Sequence, residues 1–182
     1  LKTFLSNASN FMGLIHHRSK QEALMYWQNI ETHTKSRLDA SAVYLAQKWH
    51  HAEPDKTGAL TLLALGEFLS YASRYKAALK SLNLLDSLKK YLTKDQWEQA
   101  NLARSDTLIA LSDYDEGTLI LHDLLKVRRK RSGEKHPTTA KLMNRLVSVN
   151  YARGDYESAK NMALKTLTIQ EDVHDKSHFD TA

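Results

Sequence analysis

The chain has no cysteine among its 182 residues. That removes disulfides, thiol nucleophiles and thiolate metal sites together, and it suits a reducing compartment, so a cytoplasmic location is expected. Proline occurs twice and glycine six times, while Ala, Leu, Lys, Glu and Gln are plentiful, a balance that favours helices. Long apolar runs are lacking too. The longest near the middle, Ala59–Leu65, is interrupted by a threonine and is far too short to cross a bilayer. No signal peptide opens the chain, which starts on Leu1 and stops at Ala182; it reads as a piece of a longer protein.

Recognisable chemistry is also missing. There is no glycine-rich phosphate loop, no Gly-x-Ser-x-Gly and no His-Glu-x-x-His, so neither an enzyme nor a cofactor is expected. Nine histidines invite a metal reading. His16-His17 and His50-His51 are adjacent pairs, however, and neighbours on a helix point about 100° apart, whereas chelation wants a spacing of three or four. Helix-end decoration explains them better, and no metal is expected.

The net charge of +5 is unevenly spread: 12 Lys and Arg against 7 Asp and Glu up to Tyr91, then 14 against 14. The densest basic run, Lys126, Arg128, Arg129, Lys130, Arg131 and Lys135, is what a nucleic-acid patch would look like. It also suits the last turn of a helix, where cations complement the dipole. No aromatic residue is interleaved to stack on bases.

What is present is a period. The opening His136-Pro137-Thr138-Thr139-Ala140 returns as His178-Phe179-Asp180-Thr181-Ala182, and Asp155-Tyr156 has a counterpart at Asp113-Tyr114, both 42 positions apart. Periods of this length mark stacked supersecondary units. In the middle of the chain, Leu62, Leu65, Gly66 and Leu69 form one helical stripe, and Tyr75, Ala78, Leu82 and Leu85 form the facing stripe of a second helix across a turn at Ser73-Arg74. Gly66 and Ala78 are small enough to let the two helices approach closely. Tyr75 fills the space beside the turn, and Tyr156 is expected to be buried in the same way. Trp27, Trp49 and Trp97 lie on apolar stripes and read as core or seam residues.

These patterns predict helices near 2–17, 20–33, 36–51, 55–72, 75–91, 94–111, 114–131, 137–153 and 156–173, although nothing in 20–51 separates one long helix from two. Pro137 suits a first helical turn, and Gly154 suits the turn after a helix. The arrangement of large residue, Leu-Gly, turn, Tyr and Ala resembles the tetratricopeptide repeat. The C-terminal unit, with His136-Pro137, Leu146, Tyr151, Gly154, Tyr156 and Ala159, looks like the 42-residue subtype of kinesin light chains and many bacterial regulatory proteins. The resemblance implies an all-α superhelical solenoid of stacked antiparallel helix pairs. Its repeats would run near 55–93, 94–135 and 136–177, with a further one starting at 178–182 and atypical helices in 1–54. The unit around Tyr114 departs from the pattern. Ser112 stands at the turn, Gly117 at the packing position, and Arg104-Ser105 near Leu-Gly, which leaves open a one-residue shift of its first helix.

A solenoid of this kind presents an inner groove for a peptide or partner helix. Lys141, Asn144, Arg145 and Ser148 are expected to face it in the C-terminal unit, and Leu63, Glu67 and Ser70 in the middle unit. By resemblance, Asn144 takes the position whose asparagine contacts bound peptide in kinesin-light-chain-type repeats. The function that follows is a protein-interaction scaffold, a regulatory segment of a larger signalling or transcription-regulating protein. Nucleic-acid binding through the basic N-terminal half and the 126–131 run is the alternative. The apolar second helix from Tyr156 onward is expected to leave a seam exposed and to support self-association through that end.

Overall fold

A computed structural model describes residues 56–179, with side chains as far as Glu171. The expected helices in 1–54, the choice between one and two helices in 20–51, the paired histidines, Trp27 and Trp49 all lie outside the described residues. Those described are all-α: α1 (Lys56–Tyr71), α2 (Tyr75–Asn83), a 3₁₀ segment (Leu84–Tyr91), α3 (Lys94–Ala110), α4 (Tyr114–Ser132), α5 (Pro137–Ala152) and α6 (Tyr156–Phe179). They divide into two compact units at Leu111/Ser112.

In the first unit α1 packs on α2, on the 3₁₀ segment and on α3. Its core is Leu62, Leu65, Phe68 and Leu69 from α1, Ala78 and Leu82 from α2, and Leu85 and Leu88 from the 3₁₀ segment, all at most 1% exposed. A buried hydrogen bond, from the Ser81 hydroxyl to the Leu62 carbonyl at 2.9 Å, ties α2 to α1. The small residue at 66 does what its place in the stripe implies. A Cβ built there would sit 2.6 Å from both Cγ and Cδ2 of Leu82, and Leu82 is fully buried, so it has no room to turn aside. Gly66→Ala should therefore lose about 1–3 kcal/mol to overpacking despite alanine's better helix propensity. Urea unfolding of Gly66→Ala, Leu82→Ala and the double variant checks this, because the double variant should cost less than the two singles added together.

One expected helix divides. Residues 75–91 read as a single α-helix, but winding changes to 3₁₀ at Leu84. In an α-helix the Leu82 carbonyl would accept from the amide of residue 86. Here Arg104 of α3 donates to that carbonyl at 2.8 Å and pairs with the Asp86 carboxylate, also at 2.8 Å. The tighter winding also stacks residues three apart, which keeps Leu85 and Leu88 buried and Tyr91 packed against the core. Arg104 and Ser105 keep the places of Leu65 and Gly66 without a shift, since Ser105 is fully buried and the Arg104 side chain is only 11% exposed.

In the second unit α5 packs on α4 and on α6. Leu121, Leu124 and Leu125 of α4, Leu142, Met143, Leu146 and Val149 of α5, and Ala159 and Ile169 of α6 are buried. The opening His136-Pro137 is a helix start. Residue 136 is held extended by the following proline, its ring accepts from the Thr138 amide at 3.2 Å, and Pro137 takes the first turn. The second such opening behaves differently, because α6 continues through His178 and Phe179. Phe179 stands where Pro137 stood, and nothing forces residue 178 out of helical geometry.

Tyr156 corrects the burial expected of it. It is 62% exposed and packs edge-on against Tyr151, with ring centroids 5.2 Å apart. Tyr75 and Tyr114, at the same place after their turns, are half-buried.

The turns explain the recurring Asp-Tyr pair. Ser73, Ser112 and Gly154 all have positive φ, at 59°, 65° and 82°. After α1 the amide of Arg74 reaches the Leu69 carbonyl at 2.7 Å, and after α5 that of Asp155 reaches Asn150 at 2.9 Å, the 6→1 closure of a left-handed helix cap. Glycine is the residue for this conformation, and at the other two turns serine bears a left-handed penalty. Ser112→Gly should raise stability by roughly 0.5–1 kcal/mol, and Gly154→Ala, where a Cβ would meet nothing within 4 Å, should lower it through backbone strain alone. Thermal melts of the two variants should move in opposite directions.

The next residue starts the following helix. Asp113 accepts from the Glu116 amide at 3.4 Å and Asp155 from the Ser158 amide at 3.1 Å, each satisfying one of the orphan donors of a helix start. The hydrogen bond involving the Ser158 side chain, then its backbone amide, and then the nearby Arg153 charge hold the Asp155 carboxyl below the usual carboxylate range. A depressed folded-state value stabilises the protein fully above the unfolded value, about 3.9 for Asp, and that contribution is lost as pH falls through the lowered native value. Asp155→Asn keeps a good cap but no titration. Melting temperature should therefore fall less steeply with acidification in the variant than in the parent chain.

Candidate functional site

The expected groove residues fall into two groups. On α5, residues Leu142, Met143, Leu146 and Val149 face the interior, and Lys141, Asn144, Arg145 and Ser148 are exposed on the other side. Spacings of three and four place Lys141, Asn144 and Ser148 in one row along the helix. The row is partly self-satisfied, since the Ser148 hydroxyl donates to the Asn144 carbonyl at 3.2 Å, leaving the Asn144 amide head outside that bond. The same spacing carries the row on to Tyr151, 66% exposed, whose ring meets Tyr156. Tyr151 stands in the sequence as a repeat residue, and its interval of three from Ser148 is the signal that it continues the polar row.

On α1 the picture changes. Leu63 is 4% exposed and belongs to the hydrophobic core, so it is not a groove residue. A leucine beside Leu62 on a helix most of whose circumference is covered has nowhere else to go. Glu67 and Ser70 are half-buried and turned toward α3. Glu67 accepts a hydrogen bond from the Gln99 amide, and the Ser70 hydroxyl lies 3.1 Å from that of Thr107. Thr107 in turn donates to the Ala103 carbonyl at 2.6 Å. These two positions serve the packing of one first helix against the next.

The basic run ends α4. Arg129, Lys130 and Arg131 occupy its last turn before Gly133, where they face the negative end of the helix dipole. Arg129 makes a two-pronged pair with Glu134, at 2.7 Å from Nη2 and 2.5 Å from Nε. That fork–fork geometry folds the run back on its own loop. Trp97 is half-buried against the core and lies under two cations, Lys89 at 4.8 Å and Arg104 at 5.8 Å, a seam position and not an open platform. A capping box that the sequence reading missed starts α3: Thr93 accepts from the Gln96 amide at 3.2 Å and Gln96 reaches back to the Thr93 amide at 2.9 Å. The Thr-x-x-Gln spacing announces it. Among the described residues, no three His, Asp or Glu side chains are grouped to hold a metal, and no helix is long and apolar enough to cross a membrane.

Residues 98–172 match the family model described as tetratricopeptide repeat. Neither curated proteins nor solved structures yield a match. The matched stretch runs from within α3 to within α6 and includes the Asp-Tyr turns at 113–114 and 155–156 together with the whole of α5. The described residues form an all-α array of helix pairs, and the stretch 98–172 is similar to tetratricopeptide repeats, which generally mediate protein–protein interactions.

Proposed function

We propose that the chain is a protein-interaction scaffold that holds an extended peptide or partner helix along the exposed row of α5, as the lining of the inner groove. The observation that carries this reading is the division of α5 into a buried apolar face and an exposed row of Lys141, Asn144, Ser148 and Tyr151, with Arg145 alongside. An asparagine side chain both donates and accepts, which matches a peptide backbone. Lysine and arginine beside it suit an acidic side chain, and Tyr151 adds an amphipathic surface of the kind enriched at interfaces. The ligand that fits is an extended acidic segment with an apolar residue near one end. Membership of the kinesin-light-chain-like subtype, a cytoplasmic location and a regulatory role in a larger protein accord with this use of the fold.

A panel of acidic peptides titrated against the protein tests it. Asn144→Ala and Lys141→Glu should each weaken binding about tenfold, with unchanged helix content by circular dichroism. Peptides that bind parent and variants alike would overturn the reading. Affinity should decline only modestly with added salt. A steep log–log slope of the kind that phosphate contacts give, retained in both variants, would direct attention to nucleic acid instead.

A further inference from the structure

The outward face of α6 carries a second exposed row. Ala159, Thr166 and Ile169 of this helix are buried, at 4%, 1% and 7% exposure. Beside them Lys160, Leu164, Leu167 and Glu171 are all exposed, the two leucines at 54% and 51%. Their spacing of four, three and four is that of a single seam along a helix, the spacing by which one helix packs on another. The row is apolar at its centre and charged at its ends, basic toward the start of α6 and acidic toward its end. It is therefore complementary to itself in one orientation. When two such helices run antiparallel, Leu164 of one lies against Leu167 of the other, and Lys160 lies against Glu171 at both ends. A parallel pairing would instead set Lys160 against Lys160.

We propose that this row is a two-fold, antiparallel docking seam for a second copy of the chain, α6 against α6. A two-fold axis places the same patch on both partners and satisfies every contact twice. The leucines supply the apolar core, and the end charges set orientation more than affinity, so the dimer is weak and concentration-dependent. Sequence reading anticipated self-association through this end; the exposed row gives it an orientation and a register. It uses none of the α5 residues, so its failure and that of peptide binding are separate results.

Sedimentation velocity over a wide concentration range tests the seam. The parent chain should shift from monomer toward dimer. Lys160→Glu and Glu171→Lys, each of which creates two like-charged contacts per dimer, should raise the dissociation constant about tenfold. The double variant Lys160→Glu/Glu171→Lys should return it to within about twofold of the parent, and Leu164→Gln/Leu167→Gln should remove the dimer. All four side chains are exposed, so the variants should keep the helix content of the parent chain by circular dichroism. A parent chain that stays monomeric throughout, or a dimer that the single reversals leave unchanged or that the double variant fails to restore, overturns the proposal.

Discussion

Phe68→Ala is expected to remove about 3–5 kcal/mol of stability, the upper end of what truncating one buried side chain costs. Phe68 is 1% exposed and shares one cluster with Leu65, Leu69, Leu82, Leu85 and Leu88, all at 0%. The cavity it leaves has little means of closing. On one side Gly66 already holds α1 and α2 at the limit of approach. On the other, Arg104 fixes the 3₁₀ segment through the Leu82 carbonyl and the Asp86 carboxylate. A rigid surround raises the cost of a cavity, because less of it is recovered by relaxation. Urea unfolding should show a lower midpoint with an unchanged slope, and hydrogen exchange should quicken first in α1 and α2. A loss under about 1 kcal/mol would mean that the core is not the one described.

Leu146→Ala should cost about 2–5 kcal/mol, and Tyr156→Ala, ten residues on, far less. Leu146 is fully buried at the centre of α5, the helix that packs on both of its neighbours in the second unit. Tyr156 is 62% exposed and meets Tyr151 edge-on, an interaction of the kind worth about 0.5–1.5 kcal/mol. Comparing the two variants in one denaturation series separates burial from recurrence in the sequence. Equal losses would place Tyr156 in a packed environment that the described residues do not provide.

That contrast shows what kind of information the sequence carries. Helix positions were legible because apolar spacing and turn residues act locally: Pro137, Gly154, Asp113 and Asp155 each do at their own backbone what their chemistry requires. The approach of α1 to α2 was legible for a similar reason, since a glycine facing a leucine admits one arrangement. Burial of Tyr156 was not legible, because it depends on what covers the far side of a helix, which no local pattern states. The 3₁₀ segment was hidden for the same reason. Its cause is Arg104, eighteen residues after Asp86, and nothing within 84–91 announces it. The candidate site divides along the same line. Lys141, Asn144, Arg145 and Ser148 follow from the periodicity of one amphipathic helix, whereas Leu63 was misassigned because α1 is covered on most sides, and periodicity alone cannot rank such faces.

The 3₁₀ segment has a consequence for reach. Winding at three residues per turn advances about 2.0 Å per residue, against 1.5 Å in an α-helix. The nine residues of α2 and the eight that follow therefore extend about 29–30 Å. The nineteen residues of α4, wound as α-helix throughout, extend about 28–29 Å. Two arms of nearly equal length are made from chains that differ by two residues, so local overwinding offsets a shorter repeat. Tyr75 and Tyr114 stand 39 positions apart where Tyr114 and Tyr156 stand 42 apart. Unequal sequence spacing is thus compatible with matched helix lengths, and an insertion or deletion in the second helix of such a pair is absorbed by a change of pitch before it has to be absorbed by a change of packing.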